Sequence, residues 1–108
     1  WAREKGFRIL QKNYKCAIGE IDLIAEKGGR IHFIEIKSRS GQRFGDPAEA
    51  VDKQKQQKLL KLAAWYLKEK RLHDPPVSFD VAAVTWEKGK TPEIRYIENA
   101  FERSEEPC

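Results

Sequence analysis

Two adjacent glycines, Gly28 and Gly29, separate two strand-like runs, GEIDLIAEK and RIHFIEIK. Gly-Gly between such runs predicts a two-residue hairpin turn. The turn fixes the register: residues equidistant from the glycine pair oppose one another and share a face of the ribbon. Asp22 then faces Glu35, and Glu20 faces Lys37, so four charges collect on one face. Ile24 faces Phe33 further along that face, while Ile21, Leu23, Ile34 and Ile36 make an apolar opposite face. The pattern predicts a polar patch cut into a sheet that is mostly covered on both sides. A loop of three or five residues would shift the register and scatter the cluster.

Two directly opposed carboxylates repel by roughly 0.2–1 kcal/mol when exposed and by more when desolvated. A divalent cation between Asp22 and Glu35 would remove that cost. Hard oxygen ligands suit Mg²⁺ or Mn²⁺, and a small protein donor set completed by waters suits Mg²⁺ especially. Lys37 beside the cation would orient an attacking water or stabilise charge on a phosphate, with Glu20 holding Lys37 or adding an outer contact. The plainer alternative is a cross-strand Glu20–Lys37 ion pair, with Asp22 and Glu35 merely near water. The triplet Glu-x-Lys is common by chance, so the weight lies in its combination with Asp22, the register and the apolar neighbours.

Along the rest of the chain, FRILQKNYKC (7–16) reads as a strand and SRSGQRFG (38–45) as a loop. Asp46, Pro47 and Glu49 form a helix-start signal, predicting a helix over 47–71. Val51, Leu59, Leu62, Ala63 and Tyr66 make its apolar stripe. Lys55 lies on that inward stripe, so it either snorkels outward or meets a polar site. HDPP (73–76) ends the helix, VSFDVAAVTW (77–86) reads as a buried strand, EKGK (87–90) as a turn and IRYIENAF (94–101) as a last strand. Residues 1–102 are expected to be one domain and 103–108 a frayed tail. This order predicts a single compact α/β domain with a mixed sheet packed by helices.

The chain has 108 residues, 40% of them hydrophobic and 35% charged, within the range of an ordinary globular domain and against disorder. No apolar run is long enough to span a membrane. The first residue is Trp1 rather than Met, so an N-terminal piece is expected to precede it. Cys16 and Cys108 lack metal-site spacing and read as free thiols of a cytoplasmic protein. His32 and His73 have no partner motif and read as ordinary surface or strand residues. The net charge of +4 permits an anionic partner such as nucleic acid.

GEIDLIA, FIEIKSRS, FGDPAEAVDKQKQQKLLKLAAWYL, FDVAAV and a closing ENAF, in this order, resemble the YraN-like uncharacterised bacterial protein family over most of the chain. That family in turn resembles archaeal Holliday-junction resolvases and, by fold, the restriction-endonuclease-like PD-(D/E)xK nucleases. The resemblance implies a restriction-endonuclease-like mixed sheet flanked by helices. It places the motif aspartate at Asp22, the motif Glu-x-Lys at Glu35 and Lys37, and the family's helix lysine at Lys55. It also implies Mg²⁺ held by Asp22, Glu35 and the carbonyl of Ile36, with water attacking a phosphodiester. The family's N-terminal helix, with its Gly-Glu pair, has no counterpart here. Asp80 occupies another family position, where a buried carboxylate needs a capping or basic partner.

The expected function is therefore a Mg²⁺-dependent (or Mn²⁺-dependent) endonuclease acting on DNA, branched or nicked, with Arg39, Arg43, Lys53 and Lys58 contacting the backbone. Paired cuts are compatible with a homodimer. The alternatives are a non-catalytic nucleic-acid-binding module with a residual metal site, and a scaffold domain for a protein partner.

Overall fold

The computed structural model describes residues 4–40, 52–73 and 75–101, with Arg39 and Ser40 described by their backbone. The element order is β1 (Arg8–Cys16), β2 (Gly19–Lys27), β3 (Arg30–Ser40), α1 (Lys53–Glu69), β4 (Val77–Trp86) and β5 (Glu93–Phe101). The strands form one five-stranded sheet in the order β1-β2-β3-β4-β5. β3 and β4 are parallel and all other neighbours antiparallel. A parallel pair needs a long crossover, and α1 lies on that connection.

The hairpin turn is the one the glycines predict. Gly28 and Gly29 have φ of 61° and 79°, the left-handed conformation a two-residue turn of this twist requires at both positions. The register follows: Lys27 pairs with Arg30, Ile24 with Phe33 and Leu23 with Ile34. The described β2–β3 ladder runs only as far as that last pair.

Beyond it the strand changes phase. Ile21 and Ile24 both join the core that contains the α1 residues Leu59, Leu62, Ala63 and Tyr66, whereas Leu23 and Ile34 pack in a second cluster with Phe7, Ala25 and Ala82. Strict alternation would have put Ile21 with Leu23. Ile36, expected in the core, is 42% exposed, because β3 outruns its pairing with β2 there.

Two further boundaries differ from expectation. β3 continues through Ser38, Arg39 and Ser40, where a loop was expected, because β4 pairs with it without a break from Ile31–Val77 to Ser40–Trp86. A continuous helix from Pro47 does not form. Asp52 is extended at φ −72° and ψ 173°, and its side chain accepts the Lys55 N–H at 2.8 Å, so the helix starts at Lys53. The expected cap Asp46, with Pro47, Glu49 and Val51, lies outside the described residues, as does the tail 103–108.

At its other end α1 stops two residues earlier than expected. The Arg71 N–H reaches the Lys68 carbonyl at 3.1 Å and the Leu72 N–H reaches the Leu67 carbonyl at 2.9 Å, a Schellman pattern with Arg71 at φ 56°. An L side chain in that conformation costs about 1 kcal/mol that glycine avoids. Arg71→Gly is expected to raise the unfolding free energy by roughly 0.5–1 kcal/mol, read as a higher urea midpoint at unchanged slope.

α1 covers one face of the sheet, and among the described residues it is the only helix. The opposite face carries the second cluster and a buried polar group centred on Asp80. His32 belongs to it: expected as an ordinary strand or surface residue, it is 2% exposed, with Nδ1 2.6 Å from Asp80 Oδ2. His73 is exposed, as expected.

Candidate functional site

Where the β2–β3 ladder ends, a side chain takes over from the backbone. Asp22 Oδ2 accepts the Ile36 N–H at 2.8 Å, so the carboxylate holds β3 at the point where the strands part. The Glu35 carboxyl sits against that of Asp22, close enough for a hydrogen bond between them. Glu35 is 8% exposed. Burial above all, then the hydrogen bond and the negative charge of Asp22, push its carboxyl up to about 7. Glu35 therefore keeps its proton until near neutrality, beside the Asp22 carboxyl.

Two lysines close the cluster. Lys55 comes from the first turn of α1, and its Nζ lies 3.6 Å from Glu35 Oε1. Lys37 comes from β3, on the same face as Glu35. Contact with the Lys55 ammonium, followed by burial, pushes the Lys37 amine below the usual lysine range, against the pull of Glu35 and Asp22. The inward-facing Lys55 thus meets a polar site rather than snorkelling to solvent.

The structure brings together Asp22, Glu35, Lys37 and Lys55, with the Ile36 amide in contact. It does not bring Glu20 with them. Glu20 is exposed and pairs in register with Lys15 on β1, and among the described residues no three His, Cys, Asp or Glu side chains converge on a metal-sized space. The phase change at Asp22 and Leu23 explains this, since it breaks the alternation that would have kept Glu20 on the Asp22 face.

Of the expected backbone-contacting residues, Lys53 and Lys58 are exposed on the first turns of α1. Lys58 also lies across Gly19, where a Cβ would come within 2.9 Å of its Cε, so the strand passes close beneath the helix. Arg39 lies on β3 near the cluster, and Arg43 lies outside the described residues. Sequence reasoning missed the Asp22–Ile36 hydrogen bond and the Lys37–Lys55 contact. Neither has a local signature, because each joins segments far apart in the chain.

A single α/β domain with a five-stranded mixed sheet, opening at an Asp and a Glu-x-Lys on adjacent strands, is compatible with a restriction-endonuclease-like architecture. Comparison with known proteins gives the family. The model of "Uncharacterised protein family UPF0102" matches residues 1–84. UPF0102 proteins of Alkaliphilus metalliredigens and Syntrophomonas wolfei are 46% and 44% identical, each over 94% of this chain and 87% of their own length. One from Dictyoglomus thermophilum is 42% identical over 91% of this chain and 84% of its own. The chain belongs to this uncharacterised family, the one its motifs resemble. Among the described residues no helix is long and apolar enough to cross a membrane.

Proposed function

We propose that the cluster is the centre of a divalent-metal-dependent phosphodiester hydrolase acting on DNA. The observation that carries this reading is the contact between the Asp22 and Glu35 carboxyls, with Glu35 held near neutral titration beside two lysines. A buried acid set against a second, half-buried one is costly without a cation, and strongly perturbed acids in such settings are functional candidates.

The donor set fits Mg²⁺ or Mn²⁺. Asp22 and Glu35 supply hard oxygens, and the Ile36 carbonyl leaves β3 on the same side as the amide that reaches Asp22. Two carboxylates and a carbonyl leave room for the waters Mg²⁺ keeps. When bound, the cation would supply Lewis acidity to the phosphoryl oxygen and acidity to a coordinated water. Lys37, whose lowered pKa leaves a larger fraction of neutral amine than an ordinary lysine has, would hold and orient the attacking water and take its proton. Lys55 would hold Glu35 in place and face the charge that builds up on phosphorus. The partial positive charge at the start of α1 and the exposed Lys53 and Lys58 favour a polyanion on this side. Arg39 on β3 and, by sequence, Arg43 are the further backbone contacts of this reading.

The test is Mg²⁺ and Mn²⁺ titration by calorimetry on wild type and Asp22→Asn, followed by incubation with nicked and four-way DNA. Wild type is expected to bind and cleave, and Asp22→Asn to lose at least tenfold in metal affinity and all cleavage. Salt-sensitive DNA binding without metal uptake would replace the hydrolase with a binding module, a reading to which the absence of a third carboxylate among the described residues lends some weight.

A further inference from the structure

α1 buries Leu59, Leu62, Ala63, Tyr66 and Leu67 against the sheet, and one flank of this stripe opens on a groove. Leu60, Ala64 and Leu67 follow one another at helical spacing, and with Leu72 they floor a groove of about 780 Å³. Lys61, Lys68, Arg71 and His73 rim it, and among the described residues no acidic side chain lines it. Trp65, 53% exposed, lies outside this groove, beside Lys68 and Glu69.

The space beside the helix follows from dimensions. Five strands at about 4.8 Å span roughly 19 Å between the outer strands, whereas one helix is about 10 Å across. α1 packs over Tyr14, Ile21, Ile24, Phe33, Phe79 and Val81 from β1 to β4, and on β5 the packing thins to the partly buried Ala100 and Phe101. Among the described residues one helix therefore leaves the β5 flank of its face of the sheet uncovered, and the groove is lined from α1 and the turn that follows it.

We propose that this groove is the docking site for an acidic amphipathic helix of a partner protein. An apolar floor takes an apolar helix face, as in helix-in-groove recognition. The three basic side chains of the described rim, Lys61, Lys68 and Arg71, select an occupant with acidic flanks. A second copy of this chain offering its own α1 would set Lys53, Lys58, Lys61 and Lys68 against the same charges and be repelled. A nucleic-acid backbone would satisfy the rim and leave the leucine floor without a partner. The site is separate from the carboxylate cluster, so it stands or falls independently of the hydrolytic reading.

The experiment uses the whole protein and a fluorescent acidic peptide of α1's length, with leucines at one-face helical spacing and glutamates flanking them. The controls are a scrambled peptide of the same composition and a duplex DNA, all at physiological salt. The amphipathic peptide is expected to bind at least tenfold more tightly than the scrambled one and to shift the amide resonances of Leu60, Ala64, Leu67 and Leu72. Ala64→Glu changes an exposed residue, so the fold should survive, as circular dichroism and an unchanged urea midpoint would verify. It is expected to weaken the peptide at least tenfold, as is Lys61→Glu with Lys68→Glu. Equal binding of the scrambled peptide, indifference to Ala64→Glu, or shifts at these residues with DNA and not with the peptide would each overturn the proposal.

Discussion

At pH 8 and without divalent cation, Glu35→Gln is expected to be more stable than the wild type by about 2 kcal/mol, or roughly 8 °C in Tm, while losing all metal-dependent cleavage. The sign follows from the direction of the shift. The folded protein raises the Glu35 pKa from 4.5 to about 7, so between those values the native state holds a proton that the unfolded chain has released. Stability therefore falls as pH rises through this window, and above it the full cost of an ionised carboxylate beside Asp22 is in force. The unscreened shift corresponds to about 3 kcal/mol, and solvent at the edge of the cluster reduces it. Glutamine removes the charge and can donate to Asp22, so it avoids that cost. The advantage should disappear below about pH 4.5, where the wild-type carboxyl is neutral in both states.

A divalent cation should reverse the order. On the proposed hydrolase reading it would stabilise the folded wild type by about 2.7 kcal/mol at a hundredfold excess over Kd and would have one ligand fewer in the variant. On that reading cation binding would also displace the proton of Glu35, so affinity should weaken as pH drops below about 7. Melting curves of both proteins at pH 5 and 8, with and without Mg²⁺, measure all of this. A variant no more stable than wild type at pH 8 would show that the pair carries no electrostatic strain.

How much of this was legible beforehand depends on how local each signal is. Gly28-Gly29 set the turn and the register near it by backbone conformation alone, and β4 was bounded correctly because VSFDVAAVTW is flanked by Pro76 and a Glu-Lys-Gly turn. Asp22, Glu35 and Lys37 could be grouped because a hairpin converts spacing into proximity. Glu20 was grouped wrongly, since one change of strand phase cancels the alternation from which its place was inferred. The helix start was placed at Asp46 by the Pro47 and Glu49 that follow it, whereas Asp52, which caps α1, is followed by Lys53 and Gln54 and carries no such signal. Lys55 was visible as an anomaly on an apolar stripe, but its partners lie on two other elements. The groove could have been suspected, since Leu60, Ala64 and Leu67 repeat at helical spacing along one flank of the main stripe.

His32 shows what sequence cannot display, and it leads to the second large effect. RIHFIE alternates like a half-solvated strand, so a histidine away from the helix face looks exposed. It is buried because Asp80, 48 residues later, supplies an acceptor inside the sheet. Asp80 is 1% exposed and accepts from four donors. Oδ2 takes His32 Nδ1 at 2.6 Å and the Tyr96 hydroxyl, and Oδ1 takes the Ser78 hydroxyl at 2.5 Å and the Asn99 N–H at 2.9 Å. Burial, followed by the bond to Asp80, raises the Tyr96 hydroxyl pKa and keeps it a donor. The Asn99 bond fills the register break between Phe79 and Val81 of β4, where Asn99 turns to φ 55°, so one carboxylate ties β3, β4 and the irregular end of β5 together.

Removing the acceptor strands several buried donors at once, each costing about 1–3 kcal/mol when unpaired. Asp80→Ala is expected to cost about 3–5 kcal/mol, a large part of the 5–15 kcal/mol that holds a domain of this size. Tyr96→Phe removes one donor of four and should cost about 1 kcal/mol. Urea unfolding at neutral pH separates the two, with the alanine variant losing most of its folded baseline and the phenylalanine variant keeping it. If Asp80→Ala stayed within 1 kcal/mol of wild type, the group would be held by the sheet rather than holding it, and the carboxylate would then need a role other than stability to account for its burial.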